Sequence, residues 1–437
     1  MSKKTKLSTE NYKGVRDFYP EDQQLQNYIK HKIKSTAERF GYENYNASPL
    51  EYTEIYEAKS GQEIAKEQTY TFKDKGNRTI SLRPEMTPTA ARMIAKKVRE
   101  LNFPVRWYSF ANIFRYENPQ KGRLREHYQL NVDIFGGLTE KADLEVVYLM
   151  HQIMIDFGAS KKDFLIKINS REILNSIYDR YEISEETRPQ ISKLLDKKDK
   201  ISQNELFDSL TEYVEKNKIS DFLECFSSTK KVSDLIGQNH PAVKQIGKII
   251  EKLNSKDIDN VIFEPTLIRG FDYYTGLVFE VFDTDPINSR AIFGGGRYDS
   301  LISVFSDRDI SAVGFGLGDV RLLEFLENRF LLPKYSPVTK IIVCQTENSN
   351  YAEATDTANL FRNENISTEI DISGKKLKDQ ISRAVKKNIP FIVIAGSEEK
   401  EKNTIKIKNL KTKEEVELKK NDAVIWIKKS LNIKFYA

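Results

Sequence analysis

The chain of 437 residues has few of the residues that build disulfide frameworks and metal centres. It carries two cysteines, Cys225 and Cys344, and four histidines, and neither set shows the spacing of a metal or redox motif. No apolar run approaches the ~20 residues that a membrane span needs, and the first ten residues contain no apolar core of a signal peptide. These absences predict a reduced cytoplasmic protein without a structural metal or a membrane span.

Several common catalytic signatures are also missing. No Gly-Lys-Ser/Thr loop is present, which argues against a P-loop nucleotidase, and no His-Glu-x-x-His occurs. The run from Gly314 to Gly318 has alternating glycines, but Asp319 stands where a dinucleotide-binding fingerprint needs its third glycine. The chemistry must therefore come from other residues.

The composition is that of a globular protein with one basic region. Hydrophobic residues make up 39% and charged residues 30% of the chain. Residues 338–437 hold 19 Lys and Arg against 14 Asp and Glu, so the whole net charge of +5 lies there. A basic terminal region suits a polyanionic partner such as RNA, although a lysine-rich solvated surface explains the charge equally well.

Composition and periodicity divide the chain into four segments. Residues 1–168 and 260–332 mix helical and strand-like runs, and residues 169–259 have helical periodicity with almost no Gly or Pro, which predicts a helical insertion. A linker rich in Pro follows residue 332. In residues 338–437 strand-like and helical runs alternate, which predicts an α/β domain with a mainly parallel sheet.

Local patterns place several elements within these segments. Asp22 to Phe40 has helical spacing, and a second helix is predicted from Pro84 to Arg99, with Pro84 in its first turn. The glycine-rich runs Gly294 to Asp299 and Ala312 to Gly318 are interpreted as turns, and Arg321 as lying near a helix start.

The most informative segment runs from Leu267 to Gly276. It places Arg269 and the pair Tyr273 and Tyr274 between two strand-like runs, with glycines that free the backbone. An arginine held in this way binds a phosphate or a carboxylate through two hydrogen bonds. Arg115 opens a basic loop and Arg321 ends a glycine-rich run, so three arginines indicate one polyphosphate held by separate parts of the fold.

These segments, in this order, resemble the signature motifs of class II aminoacyl-tRNA synthetases. The segment from Leu267 to Tyr274 resembles the histidine-specific motif of histidyl-tRNA synthetases, Leu82 to Thr87 resembles another segment of that family, and Pro49 with Glu51 resembles the dimer-forming motif. The resemblance covers nearly the whole chain, and the signatures of class I synthetases are absent. It implies an α+β catalytic domain built on an antiparallel sheet, with a helical insertion and a C-terminal α/β anticodon-binding domain.

The same resemblance implies an activity and its partners. The activity is attachment of histidine to tRNA(His), driven by ATP with Mg²⁺ and passing through histidyl-adenylate. The enzyme is expected to be a homodimer in the cytoplasm, with no metal assigned to protein ligands. Gln120 lies in the loop that would meet the acceptor end of the tRNA.

The family's ATP-binding roles fall on five residues of this chain. By resemblance, Arg115 grips the α-phosphate and the amino acid carboxylate, Glu117 binds the adenine amino group or a metal-bound water, and Arg123 holds the outer phosphates. His127 stands where the family usually has Phe, and it can stack on adenine. Arg321 is expected to bind the γ-phosphate.

The family's histidine-binding roles fall on Glu85, Thr87, Gln129, Asp133, Arg269, Tyr273 and Tyr274. Glu85 and Thr87 would hold the ammonium, and Gln129 would reach the amino and carboxylate groups. Gln129 and Asp133 share one face of a strand. Asp133, where many members have Glu, would accept from the imidazole N–H, and Tyr274 would hold the other ring nitrogen. Arg269 and Arg115 are the predicted catalytic residues.

Two alternatives stay open on the sequence. The first is the synthetase-like regulatory subunit of ATP phosphoribosyltransferase, a non-catalytic relative that typically lacks the C-terminal domain. The second is another class II synthetase, such as one for proline or threonine. The segment from Arg269 to Tyr274 argues against both, because it carries the residues expected to act on histidine.

Overall fold

The computed structural model describes residues 6–58, 67–196, 198, 201–267, 273–288, 290–346, 351–395 and 401–432. Contacts divide the chain into a first unit, Met1–Pro333, and a second unit, Lys334–Ala437. Within the described residues, no helix has both the length and the apolar character that crossing a membrane requires.

The first unit is built on an eight-stranded sheet and a separate three-stranded sheet. Its strands are β1 (Glu43–Asn44), β2 (Leu50–Tyr52), β3 (Tyr70–Lys73), β4 (Thr79–Leu82), β5 (Val105–Phe114), β6 (Glu126–Phe135), β7 (Phe164–Ser170), β8 (Val261–Phe263), β9 (Leu277–Asp283), β10 (Ala291–Arg297) and β11 (Ala312–Gly318). The large sheet has the order β1-β5-β6-β11-β10-β9-β7-β8, and the small one has the order β2-β4-β3. In the large sheet only the outermost pairs, β1 with β5 and β7 with β8, are parallel.

Most helices pack on one face of the large sheet or fill the segment between β7 and β8, while the helix Thr87–Lys96 packs on the opposite face. They are α1 (Pro20–Arg39), α2 (Glu54–Glu57), α3 (Thr87–Lys96), α4 (Thr139–Asp156), α5 (Arg171–Arg180), α6 (Arg188–Asp196), α7 (Gln203–Leu210), α8 (Ile219–Cys225), α9 (Thr229–Ile236), α10 (Pro241–Asn254) and α11 (Asp319–Asn328). Ile33 of α1 and Met150 of α4 belong to the same buried core as Leu130 and Val132 of β6. Because side chains alternate along a strand, the residues between them on β6 face the opposite side of the sheet.

The segment predicted to be helical contains helices α5 to α10, and three of these helices begin with a serine cap. Ser170, Ser202 and Ser228 each precede a helix and accept a hydrogen bond from a backbone N–H of its first turn. The predicted helix from Pro84 is shorter than expected. α3 begins at Thr87, with Pro88 in its first turn, where the missing N–H costs no helical hydrogen bond.

The glycine-rich runs predicted as turns are strands, and this prediction was wrong. Gly294 to Arg297 form the second half of β10 and Ala312 to Gly318 form the whole of β11, and the two strands pair, Gly294 with Gly316 and Gly296 with Gly314. Glycine is usually depleted in strands. Here the strands lie against bulky neighbours, and a Cβ at Gly314 would overlap the carbonyl oxygen of Val132 and the carboxylate of Asp133. The glycines serve close approach within the sheet.

The second unit has one sheet with helices on both faces. Its elements are β12 (Ile341–Gln345), α12 (Tyr351–Arg362), β13 (Thr368–Ile370), α13 (Leu377–Lys386), β14 (Phe391–Ala395), β15 (Thr404–Asn409), β16 (Glu415–Lys419) and α14 (Lys420–Ser430). The strand order is β13-β12-β14-β15-β16.

The prediction of a mainly parallel sheet in this unit needs correction, because only half of the strand pairs are parallel. β15 and β16 add two antiparallel pairs through a hairpin. The alternation of Ile405 and Ile407, which are buried, with Lys406 and Lys408, which pair with Glu415 at 2.9 and 3.3 Å, is the pattern of a half-buried strand.

Candidate active site

A cavity of about 750 Å³ lies in the first unit and gathers most of the residues singled out in the sequence. Ten of them line it: Glu85, Thr87, Arg115, Glu117, Arg123, His127, Gln129, Tyr273, Tyr274 and Arg321. Asp133 is not a lining residue, but it accepts a hydrogen bond from Tyr298, which is one. Gln120 lies outside it on the exposed tip of the loop before β6, paired with Arg123. Arg269 lies outside the described residues, and its role stays a prediction.

Strand β6 carries a row of four polar residues, three of which line this cavity. His127, Gln129, Asn131 and Asp133 occupy alternate positions of the strand and therefore share one face. The alternate residues Leu130 and Val132 are buried in the helix-covered core. This register is strongly fixed, because a slip of one residue would exchange the polar row for the apolar one.

One end of the cavity, called the inner end, is lined by Glu85, Thr87, Gln129, Asn131 and Tyr273. Hydrogen bonds connect these residues, and the donor and acceptor of each bond can be assigned. Gln129 Nε2 donates to Asn131 Oδ1 at 2.7 Å, and Asn131 Nδ2 donates to Thr87 Oγ1 at 3.3 Å. Tyr273 donates its hydroxyl to Glu85 at 2.8 Å, so it accepts the hydrogen bond that joins it to Thr87. Both amide nitrogens therefore point to protein oxygens, and the lining residues Gln129, Thr87 and Glu85 carry acceptor oxygens. An array of acceptors of this kind suits an ammonium group.

The deepest polar group of the inner end is Asp133. It is 1% exposed, and its Oδ1 accepts a hydrogen bond from the Tyr298 hydroxyl. Among the described residues its Oδ2 has no hydrogen-bond partner. Burial raises the pKa of Asp133 to about 7, although the hydrogen bond from Tyr298 lowers it. A buried carboxylate with one unused oxygen is suited to accept an N–H group from a ligand.

Glycines of β10 and β11 make the room that these side chains occupy. A Cβ at Gly316 would lie 2.6 Å from Gln129 Nε2, and one at Gly296 would lie 2.7 Å from the ring of Tyr274. Both distances are too short for a real contact. The strands predicted as turns are therefore part of the wall of the inner end.

The other end of the cavity, called the outer end, is lined by Arg115, Arg123 and Arg321. Arg115 is held by a 2.9 Å hydrogen bond from its Nε to the carbonyl of Pro84. Arg321 donates to Asn288 at 2.9 Å and to the carbonyl of Arg290 at 3.1 Å, and it pairs with Glu324. Arg123 is more loosely held, with a side chain 59% exposed and 3.4 Å from Glu117. Three cations around one opening suit a polyphosphate.

His127 lies between the two ends. Burial, with a smaller effect from the Arg115 charge, lowers the pKa of His127 to about 3, while a hydrogen bond to Gln129 works in the opposite direction. The imidazole is therefore neutral at physiological pH. It offers the flat surface that the usual phenylalanine would offer, which fits the predicted stacking on a nucleobase.

Several residues of the cavity were not evident from the sequence. Asn131 and Tyr298 line the inner end, and residues just before and within α6 form part of the wall: Glu186, Pro189, Gln190 and Lys193. Asn131 could have been found from its alternate position between Gln129 and Asp133. The residues of the insertion carry no such signal, because only the folded chain brings α6 to the cavity.

The described residues contain no group of three or more His, Cys, Asp or Glu side chains placed to hold a metal ion.

The antiparallel sheet and its arginine-lined cavity define the class II aminoacyl-tRNA synthetase fold, as the sequence predicted. Comparison with known proteins agrees at the level of the whole chain. The family model for histidyl-tRNA synthetase matches residues 14–322, and the model for an anticodon binding domain matches residues 340–430. The chain belongs to the histidyl-tRNA synthetase family.

Individual relatives match over nearly their full length. A histidine–tRNA ligase of Leptospira biflexa is 41% identical over 98% of this chain and 100% of its own. A histidine–tRNA ligase of Thermoplasma volcanium is 33% identical over 97% of this chain and 99% of its own. The crystal structure of histidyl-tRNA synthetase from Nostoc sp. PCC 7120 superposes with a TM-score of 0.81 at 22% identity, covering 97% of this chain and 100% of that one.

Proposed function

We propose that this chain attaches histidine to tRNA(His) in two steps driven by ATP. In the first step the histidine carboxylate attacks the α-phosphorus of ATP, forming histidyl-adenylate and releasing pyrophosphate. In the second step the terminal ribose hydroxyl of the tRNA attacks the adenylate carbonyl, and AMP leaves. The observation that carries the proposal is the polar row of β6, which joins an arginine-rich outer end to an acceptor-rich inner end.

The inner end fits the amino acid histidine on three counts. Gln129, Thr87 and Glu85 present acceptors that suit the ammonium. Asp133 has a carboxylate oxygen without a hydrogen bond, which is suited to accept from an imidazole N–H. Tyr274 lines the same cavity, and its phenol is assigned to the other ring nitrogen. Sites that hydrogen-bond a polar side chain can reject analogues lacking it by roughly 10⁴–10⁵, because the site is then left with unpaired buried groups.

The outer end fits ATP, bound with Mg²⁺ as the substrate complex. Arg115, held by the carbonyl of Pro84 next to Glu85 in the sequence, is assigned the α-phosphate, while Arg321 and Arg123 are assigned the outer phosphates. The neutral imidazole of His127 is assigned to adenine stacking, and Glu117 to the adenine amino group. Arg269 is assigned to the charge that develops during adenylation. In phosphoryl-type transfers, positioning and charge stabilisation supply most of the catalysis.

The remaining assignments concern the tRNA and the assembly. Residues 338–437 are assigned to the anticodon, which agrees with their net positive charge and with the family match there. Gln120, at the exposed tip of its loop, is assigned to the acceptor end. We further propose that the enzyme acts as a homodimer in the cytoplasm. The regulatory-subunit alternative typically lacks a C-terminal domain, whereas this chain has one.

One assay tests the whole proposal. Labelled histidine is incubated with the purified chain, ATP, Mg²⁺ and unfractionated tRNA, and acid-precipitable label is counted. We expect histidine to be esterified to tRNA, and we expect no product without ATP or with tRNA whose terminal ribose has been oxidised by periodate. A regulatory subunit would give no product under any of these conditions, and that outcome would contradict the proposal.

A further inference from the structure

Asn131 occupies a distinctive place in the cavity, because it joins two residues that are assigned to the same group of the substrate. It is 2% exposed and lies between Gln129 and Thr87, accepting from one and donating to the other. A carboxamide can do both at once, since its oxygen accepts and its nitrogen donates.

The direction of these bonds has a chemical consequence. With Nε2 of Gln129 turned to Asn131, the Gln129 oxygen is turned to His127 and to the cavity. The Thr87 hydroxyl accepts a hydrogen bond from Asn131 and donates one to Tyr273. The second lone pair of the Thr87 oxygen can therefore accept a hydrogen bond from a ligand. If the Gln129 amide rotated by half a turn, a donor would face the substrate ammonium instead, and two donors repel.

The Gln129 amide has a partner at each end, because Nε2 donates to Asn131 and the side-chain oxygen accepts from His127. On the neighbouring strand β11, residue 316 is glycine, and a Cβ there would lie 2.6 Å from Nε2. Gly316 therefore leaves room for the amide in this position, and the hydrogen bond to Asn131 holds its nitrogen there.

We propose that Asn131 is a positioning residue for the substrate ammonium, fixing Gln129 and Thr87 as a pair of acceptors. The inference rests on the proposed function, since it concerns the amino acid that the inner end binds. Asn131 acts through its neighbours and is not assigned a contact with the reacting atoms.

The test uses two competitive inhibitors of histidine-dependent ATP–pyrophosphate exchange. Histidinol keeps the ammonium and the imidazole but lacks the carboxylate, and imidazolepropionate keeps the carboxylate and the imidazole but lacks the ammonium. In Asn131→Leu, which is similar in size and cannot hydrogen-bond, we expect the inhibition constant of histidinol and the KM for histidine to rise about ten- to hundredfold. The inhibition constant of imidazolepropionate and the KM for ATP should change less than about threefold.

Two further variants separate positioning from folding. Asn131→Asp keeps an acceptor for Gln129 and, when protonated, a donor for Thr87, so it should restore histidinol binding to within about threefold of the parent. Gly316→Ala should displace the Gln129 amide from Asn131 and weaken histidinol in the same way. Combined with Asn131→Leu it should add little, because both changes remove one interaction.

Asn260→Leu is the matched control. Asn260 is a buried amide of the same unit that donates to the carbonyl of Phe164 at 3.0 Å, outside the cavity. It should lower the melting temperature and leave both inhibition constants unchanged. Equal weakening of both inhibitors in Asn131→Leu, or no weakening of histidinol, would overturn the inference even though the parent supports exchange. A parent with no histidine-dependent exchange would instead refute the proposed function.

Discussion

The two ends of the cavity are built in different ways. The inner end is made of buried residues that are already hydrogen-bonded to one another, as the chain from Gln129 and Asn131 of β6 to Thr87 of α3 shows. The outer end is made of long cationic side chains, some of them on an exposed loop, where Lys121 is 87% and Arg123 59% exposed.

The difference follows from what each end has to recognise. Choosing one amino acid among twenty requires buried groups whose hydrogen bonds only the right ligand completes, so the inner end has to be fixed before binding. A triphosphate is recognised mainly through charge, which flexible arginines can follow. The glycines of β10 and β11 serve the first requirement, because they let strand backbones approach the buried side chains closely.

Arg269 is expected to give the largest effect, because it is the cation assigned to the charge that develops in the transition state. Arg269→His should lower kcat for adenylation about 10²–10³-fold, while the KM for histidine changes far less. Single-turnover adenylate formation and steady-state exchange measure the two constants. An effect limited to the KM for histidine would make Arg269 a binding residue only.

Removing the second unit should leave both ends of the cavity intact. A chain ending near Pro337 should keep histidine-dependent pyrophosphate exchange but charge tRNA with a KM for tRNA raised by about a hundredfold or more. Its tRNA binding should also depend less steeply on salt, because fewer phosphate contacts release counterions. Sedimentation of the same preparation checks the oligomeric state. Proportional loss of exchange and charging would mean that the unit acts only by stabilising the assembly.

Asp133 tests the inner end alone. Asp133→Ala leaves the imidazole N–H unpaired, so kcat/KM for histidine should fall about ten- to hundredfold or more. The KM for ATP should stay within about twofold, since the outer end is not altered. Initial rates of exchange with each substrate varied in turn give these constants, and unchanged kinetics would remove Asp133 from the site.

The same carboxylate should cost the empty protein stability in a pH-dependent way. Its folded pKa of about 7 lies above the ordinary value of 3.8, so the unfolded chain ionises first and stability falls as pH rises between these two values. Asp133→Asn cannot ionise. Without histidine it should melt at the same temperature as the parent near pH 4 and about 2–6 °C higher at pH 8. A difference between the two proteins that does not change with pH would show that the buried carboxylate is not the cause.

The smallest effect should come from the exposed part of the outer end. Arg123→Gln should raise the KM for ATP only about two- to fivefold, because an exposed ion pair contributes little. The Arg321 side chain is 13% exposed and held by several acceptors. Arg321→Gln should therefore raise the KM for ATP at least about tenfold. Equal effects of the two substitutions would contradict the prediction that a more buried arginine of the outer end contributes more to ATP binding.

The sequence predicted the family fold and ten residues of the cavity lining, because each motif is recognised by its residue types and by its order along the chain. It could not predict that the glycine-rich runs are strands, because glycine is favoured in turns and is also needed where strands pack closely. Gly314 and Gly316 are recognised as wall residues only in the folded chain, where Asp133 lies across from Gly314 and the Gln129 side chain lies over Gly316. The contribution of α6 to the cavity was also beyond prediction, because it depends on how the insertion packs.

The most direct measurement is ATP–pyrophosphate exchange with one preparation of the full chain and each of histidine, proline, threonine and glycine in turn. We expect exchange with histidine and none above background with the other three, because only histidine completes the hydrogen bonds of the inner end. Exchange with any of the others and none with histidine would contradict the assignment of that end.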